Sequence, residues 1–413
     1  MNIPKKELGI LNSLKMGVIP RENLLDFMIN KDYYLEEINR CINLTKENLS
    51  VAKMVLGDYG TGKSFLLNII KEKALKENMV VASIQINESF KFNNLSDLYY
   101  EIMHSLSISF NDKEKFGFES IFDIWVKKLK SSENKSDVTN EINYVIASLN
   151  SYNSSYARAF LSYIKARIHN DNELAYASSS WIKGEKNIPY SIKSKFEIKG
   201  DIDNSNSVNM LKAFCKLVNL IGYSGVVILV DELDTLLNIR SDLRKSAYEN
   251  IRFLIDNLGN GNLENSLFVF SASEKLLDDP DKGIKTYKPL YQRLGNAIDK
   301  KSSSLLDKRQ VILRLKDIND DDISLLSSKI IDIHKTAYNW SPKISYNSIN
   351  SWTLVSLKKE DKNLSSINTR EYIIKLIEIL DIMEQNPNNS IFNKELDTQI
   401  KNGSKIFISR SNK

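Results

Sequence analysis

The sequence predicts an α/β protein: a parallel sheet interrupted by a helical insertion and followed by a smaller helical domain. Three observations carry that reading. The short apolar run Lys53-Met54-Val55-Leu56 stops at a glycine-rich turn, and a helical pattern follows Ser64. Val226 to Val230 is five consecutive aliphatics, as a strand buried on both faces of a parallel sheet requires. The β signal vanishes between about 111 and 207 and again after Asn319, where only helical periodicity is readable.

Taken in order, residues 1–50 read as a helical preface, with patterns over Glu22 to Met28 and Tyr33 to Leu44. Residues 51–110 form the first part of the sheet domain: strand, glycine loop, helix, a strand over Met79 to Ile86, and a helix over Leu95 to Ile108. Residues 111–207 are rich in Ser, Asn, Lys and Tyr and read as a helical insertion, with patterns over Ile121 to Leu129 and Ile142 to Ile168. Residues 208–316 return to the sheet domain, with a helix over Val208 to Ile221 and strands over Val226 to Val230, Leu267 to Phe270 and Arg309 to Leu315. A helix over Tyr248 to Leu258 separates the first two of these strands, and the Ser302-Ser303-Ser304 loop precedes the last. Residues 317–390 form a helical domain, and 391–413 a basic polar tail that holds Lys401, Lys405, Arg410 and Lys413 and no acidic residue after Asp397.

Composition narrows the function. With 413 residues the chain is long enough for more than one domain and a large core. The richest apolar stretch, Leu217 to Val230, is interrupted by Asn219, Gly222, Ser224 and Gly225 and is too short to span a bilayer. The N-terminus lacks the apolar core of a secretion signal, so a cytoplasmic protein is expected. Two cysteines and three scattered histidines exclude a disulfide framework and a zinc site of ordinary spacing. Net charge is +5, from 57 basic and 52 acidic residues, a surplus too small to imply nucleic acid by itself. Trp125, Trp181, Trp340 and Trp352 are too scattered to form a base-stacking platform.

The chemistry is concentrated in Gly57-Asp58-Tyr59-Gly60-Thr61-Gly62-Lys63-Ser64, which fits the phosphate-binding loop pattern without mismatch and lies between a strand and a helix start. Glycines let backbone N–H groups wrap a phosphate, the helix N-terminus adds partial positive charge, Lys63 spans the outer phosphates, and Ser64 can ligate Mg²⁺. Gly57 through Phe65 are therefore the expected ATP-binding residues. The strand Val226 to Val230 delivers Asp231 and Glu232 to its C-terminal end, where α/β sheets bind ligands. Asp231 is expected in the Mg²⁺ shell and Glu232 beside the attacking water, while Asp234 reads as a solvated acidic turn.

After the next strand, Ser273 is the expected polar contact to the terminal phosphate or the water, with Ser271 as the alternative. A helix cap is the structural reading of the same serine. Arg293, on a short helix ahead of the last strand, is placed to reach a neighbouring subunit's nucleotide, with a surface ion pair as the plain reading. Arg370, in the first turn of a helix in the second domain, is a candidate for the γ-phosphate.

This order of a glycine loop, a carboxylate strand, a polar-ended strand and two arginines resembles AAA+ P-loop ATPases with a C-terminal helical lid domain. A narrower likeness rests on Tyr59 in the loop, Trp181-Ile182-Lys183-Gly184-Glu185, Gly222-Tyr223-Ser224-Gly225, Tyr248-Glu249-Asn250-Ile251-Arg252 and Tyr287 to Leu294. These words resemble the BREX ATP-binding family, BrxC/BrxD, from about Gly17 to Leu380, and the length is nearer the short BrxD type. The resemblance implies an ATPase of prokaryotic anti-phage defence, oligomeric, working beside partners such as a helicase on double-stranded or single-stranded DNA. It maps the nucleotide loop onto Gly57 to Ser64, the metal and catalytic acids onto Asp231 and Glu232, and the arginines onto Arg293 and Arg370. Many relatives have a Gly-Arg-Glu-like stretch where this chain has Asn30-Lys31-Asp32, which leaves the adenine-side contacts open. Two functions remain: an ATP-hydrolysing motor or switch, and a non-enzymatic regulator whose nucleotide only sets a conformation that recruits a partner. The basic tail after Lys401 adds an expectation of weak, salt-sensitive DNA binding.

Overall fold

A computed structural model describes residues 4–20, 24–28, 31–294, 307–316, 318–360 and 368–387. The tail 391–413, Asn30, Gly295 and the Ser302 to Ser304 loop lie outside the described residues. Two compact units are present. One comprises the described residues of Met1–Leu35, Gly57–Phe65 and Leu315–Lys413, the other those of Glu36–Leu56 and Leu66–Arg314.

The second unit is built on seven strands: β1 (Val51–Leu56), β2 (Val80–Gln85), β3 (Leu106–Phe110), β4 (Lys113–Phe116), β5 (Val226–Asp231), β6 (Ser266–Ala272) and β7 (Ile312–Arg314). They lie in the order β4-β3-β2-β5-β6-β1-β7. β2, β5, β6, β1 and β7 are parallel, whereas β3 and β4 pair antiparallel at one side. The central strands are buried along nearly their whole length, which is why they read as unbroken aliphatic runs. In register, Leu56 stands beside Ala272 and Val230 beside Phe270, so β1, β5 and β6 all end at one edge.

Three expectations for this unit are corrected. The helix expected over Leu95 to Ile108 stops at His104, because Leu106, Ile108 and Phe110 alternate with serines and form β3. Its apolar residues also fit helical spacing, which hid the boundary. The segment after 111 is not free of strand, since β4 closes a hairpin through Asn111 and Asp112, both with positive φ, as a two-residue hairpin turn requires. All four β4 residues are exposed, so no apolar alternation marks it; charged residues are what an edge strand carries. Finally, the pattern over Ile142 to Ile168 is two helices, Lys135–Asn150 and Ser154–His169, broken where the Asn153 side chain accepts the Tyr156 N–H and caps the second.

The inserted helices share one apolar core with the sheet. Phe118, Phe122, Trp125, Phe160 and Tyr163 bury their rings in edge, tilted and stacked contacts within it. Cys215 lies in this core and Cys41 is buried on a helix ahead of β1; burial pushes both thiols up to about 12, so they act as small apolar residues. The Lys53 ammonium on β1 is buried too. It is held by Glu37 and by the carbonyls of Lys308 and Gln310, which tie β1 to its flanks.

The first unit is helical. Lys5–Lys15, Asp320–Tyr338, Tyr346–Glu360 and Thr369–Gln385 pack around Leu11, Ile330, Ile349, Tyr372 and Leu376, with Phe65 of the glycine loop against the same core. His334 is fully buried in it. The Trp340 indole N–H, which can only donate, bonds Nδ1 at 2.7 Å, so the His334 proton sits on Nε2 and points to Asp381 at 2.9 Å. Burial lowers the His334 pKa below its ordinary 6.5, with Lys15 acting in the same direction and Asp381 and Glu384 in the opposite one. The unfolded chain therefore takes up this proton first. The stability held by neutral His334 is complete above about pH 6.5 and lessens as pH falls toward the folded value. Thermal melts at about pH 7.5 and 5.5 are expected to show a larger acid loss of Tm for the wild type than for His334→Gln. Equal losses would remove His334 from the pH response. Among the described residues, no helix is long and apolar enough to cross a membrane.

Candidate nucleotide site

The glycine loop begins where β1 ends. Leu56 is fully buried and the chain leaves the sheet edge at Gly57, turning into the helix Lys63–Lys76. Gly60 and Gly62 have φ of +82° and +100°, a backbone that a side chain would strain. A Cβ at Gly60 would also run into the Asn368 side-chain amide, which would have to shift to admit it. The Thr61 hydroxyl donates to the Asp58 carbonyl at 2.8 Å. The Lys63 ammonium donates to the Gly57 and Asp58 carbonyls at 2.7 and 3.0 Å, so its charge lies across the mouth of the loop. The leading N–H groups of a helix have no partner within it, and here they open at the loop's end.

The helix Thr369–Gln385 starts beside this loop. Asn368 caps it by accepting the Arg370 N–H at 3.0 Å, and its amide also donates to Glu371. Arg370 donates from Nη1 to the Tyr59 hydroxyl at 2.9 Å, and its guanidinium lies 5.3 Å from the centre of the Tyr59 ring. The expected first-turn position of Arg370 is therefore observed, together with a contact to the loop.

At the ends of β5 and β6, Asp231 is half-buried and accepts the Ser271 hydroxyl. The Glu232 N–H donates to Asp231 Oδ1 at 2.9 Å and to the Ser271 Oγ at 3.2 Å. Glu232 itself has φ 62°, a left-handed backbone that costs about 1–2 kcal/mol for a residue with a side chain, and it is exposed. Hydrogen bonds from its N–H to two neighbours hold this strained turn and leave Glu232 exposed at the strand's end. Asp231 is fixed and Glu232 is presented.

The remaining candidates sort differently. Ser273 accepts the Leu276 N–H, caps the helix Glu274–Asp278 and donates its hydroxyl to Asp234, so it fills the capping role. Ser271, the alternative, is the serine beside Asp231, because the β5/β6 register brings them level. Asp234 is not a solvated turn: it is half-buried and also accepts the Ser273 N–H at 2.8 Å. Arg293 pairs with Asp256 at 2.9 Å, and that carboxylate also receives Arg252 at 3.3 Å. Reading the sequence missed Asn368 as a neighbour of Gly60 and Asp256 as the partner of Arg293. The Asn368 cap was readable from the Asn-x-x-Glu spacing, but its neighbour was not.

The loop, with two left-handed glycines, a lysine across it and a hydroxyl at Ser64, has the chemistry to take a nucleotide's phosphates, and Asp231, a hydrogen-bonded carboxylate at a strand end, is a donor of the kind magnesium takes. No curated protein matches the chain. A family model described as BREX system ATP-binding protein BrxC/D matches residues 3–398, nearly the whole chain, and the chain belongs to that family.

Proposed function

We propose that this chain binds ATP with Mg²⁺ at the glycine loop and hydrolyses it, as an oligomeric motor or switch of phage defence acting with partner proteins on DNA. The observation that carries the reading is the loop Gly57 to Ser64, with left-handed Gly60 and Gly62 and the Lys63 ammonium across its mouth. Lys63 holds the outer phosphates, and the Ser64 hydroxyl and Asp231 carboxylate hold the metal. When bound, Mg²⁺ neutralises charge on the phosphate oxygens. Ser271 keeps Asp231 aimed. Glu232 orients a water and accepts its proton as the oxygen attacks the γ-phosphorus and the bond to the leaving diphosphate breaks. The helices after Asp320 serve as a lid that brings Arg370 to the terminal phosphate.

Oligomerisation places Arg293 at a neighbour's nucleotide. Mixing Arg293→Ala with Lys63→Ala protein is then expected to restore part of the turnover that neither variant has alone. Parental turnover by Arg293→Ala would reduce that residue to its ion pair with Asp256. This pairing also favours the second reading, a regulator in which nucleotide sets a conformation that recruits a partner such as a helicase, because Arg293 is already engaged. Turnover measured with and without double-stranded and single-stranded DNA, alongside mass measurement with a non-hydrolysable analogue, separates the two.

A further inference from the structure

Tyr59 is 76% exposed, an unusual place for an aromatic side chain on a loop whose other residues serve a tight turn. Its work is done by its contacts. The hydroxyl accepts from Arg370 at 2.9 Å while the ring lies beneath the same guanidinium, so one side chain supplies a hydrogen bond and a cation–π contact. On the other side the Arg370 stem passes so close to Gly17 that a Cβ there would stand 3.3 Å from Cδ. Asn368, two residues earlier, sits against Gly60. Arg370 is thus held at the loop from several directions.

The chemistry of the holder matters. Arg293 is held by a carboxylate, which offsets its charge. Tyr59 offers a phenol hydroxyl and a ring face instead of a carboxylate, so this contact orients the Arg370 guanidinium and leaves its charge available to an anion. We propose that Tyr59 is a positioning residue: it holds Arg370 at the glycine loop, and through it the chain distinguishes a nucleoside triphosphate from a diphosphate. The inference rests on the loop being the ATP site. It makes an aromatic residue of the loop responsible for reading the γ-phosphate through an arginine 311 positions away.

The test is equilibrium binding of fluorescent MgATP and MgADP analogues to the full chain and to Tyr59→Phe, Tyr59→Ala, Arg370→Ala and the Tyr59→Ala/Arg370→Ala double variant. Tyr59→Ala is expected to weaken MgATP about fivefold to fiftyfold more than MgADP, Tyr59→Phe to retain part of the preference through its ring, and the double variant to match Arg370→Ala. Equal weakening of MgATP and MgADP by Tyr59→Ala would overturn the proposal, since that is the mark of a loop that has merely lost its shape. So would an effect of Tyr59→Ala that persists in full when Arg370 is already alanine. A wild-type chain that binds neither nucleotide overturns the loop assignment itself, and the proposal with it.

Discussion

Lys63→Ala is expected to abolish measurable ATP binding, the largest single loss among the substitutions considered. The ammonium lies across the loop, bonded to the Gly57 and Asp58 carbonyls, so it is already placed where a triphosphate would meet it. A phosphate chain drawn into the loop exchanges water for backbone N–H groups and this one full positive charge. Truncating one member of a desolvated charge pair costs about 2–5 kcal/mol, or roughly 30-fold to several thousandfold in affinity. The backbone cradle alone does not replace it, because N–H dipoles carry partial charges. Titration calorimetry checks this directly. Affinity equal to that of the wild type would remove the loop from nucleotide binding and leave its glycines as a structural turn.

Glu232→Gln separates binding from chemistry. The amide keeps the size and polarity of the side chain and leaves the backbone contacts to Asp231 and Ser271 in place. It cannot take a proton from water. ATP affinity is expected to stay within about twofold while turnover falls roughly 10²-fold or more, the usual contribution of a general base. The nucleotide should remain bound long enough to be recovered with the protein. Unchanged turnover would take Glu232 out of the mechanism and strengthen the regulator reading.

Sequence and structure agree where the information is local. The loop is a contiguous motif, and its strand and helix follow from apolar runs on either side. The two carboxylates follow five aliphatics, so the strand end is readable from burial alone. What escaped the sequence depends on register or on distant packing. Nothing in Phe268-Val269-Phe270-Ser271-Ala272-Ser273 tells which serine will stand level with Asp231; the pairing of Val230 with Phe270 decides it. The β4 strand is exposed throughout and so carries no apolar pattern. Arg370 could be placed in a first helical turn by its cap, yet its meeting with Tyr59 depends on packing between segments 311 positions apart. Arg293 shows the converse, since its sequence position suited an active role while the structure engages it with Asp256.

The central claim is that the chain hydrolyses ATP with the glycine loop and Glu232. Phosphate release from saturating ATP and Mg²⁺, with and without DNA, measured in parallel on the wild type, Lys63→Ala and Glu232→Gln, tests it most directly. Release is expected from the wild type, none above background from either variant, and retained nucleotide in Glu232→Gln alone. Equal release by all three proteins, or none by the wild type under either condition, would contradict it.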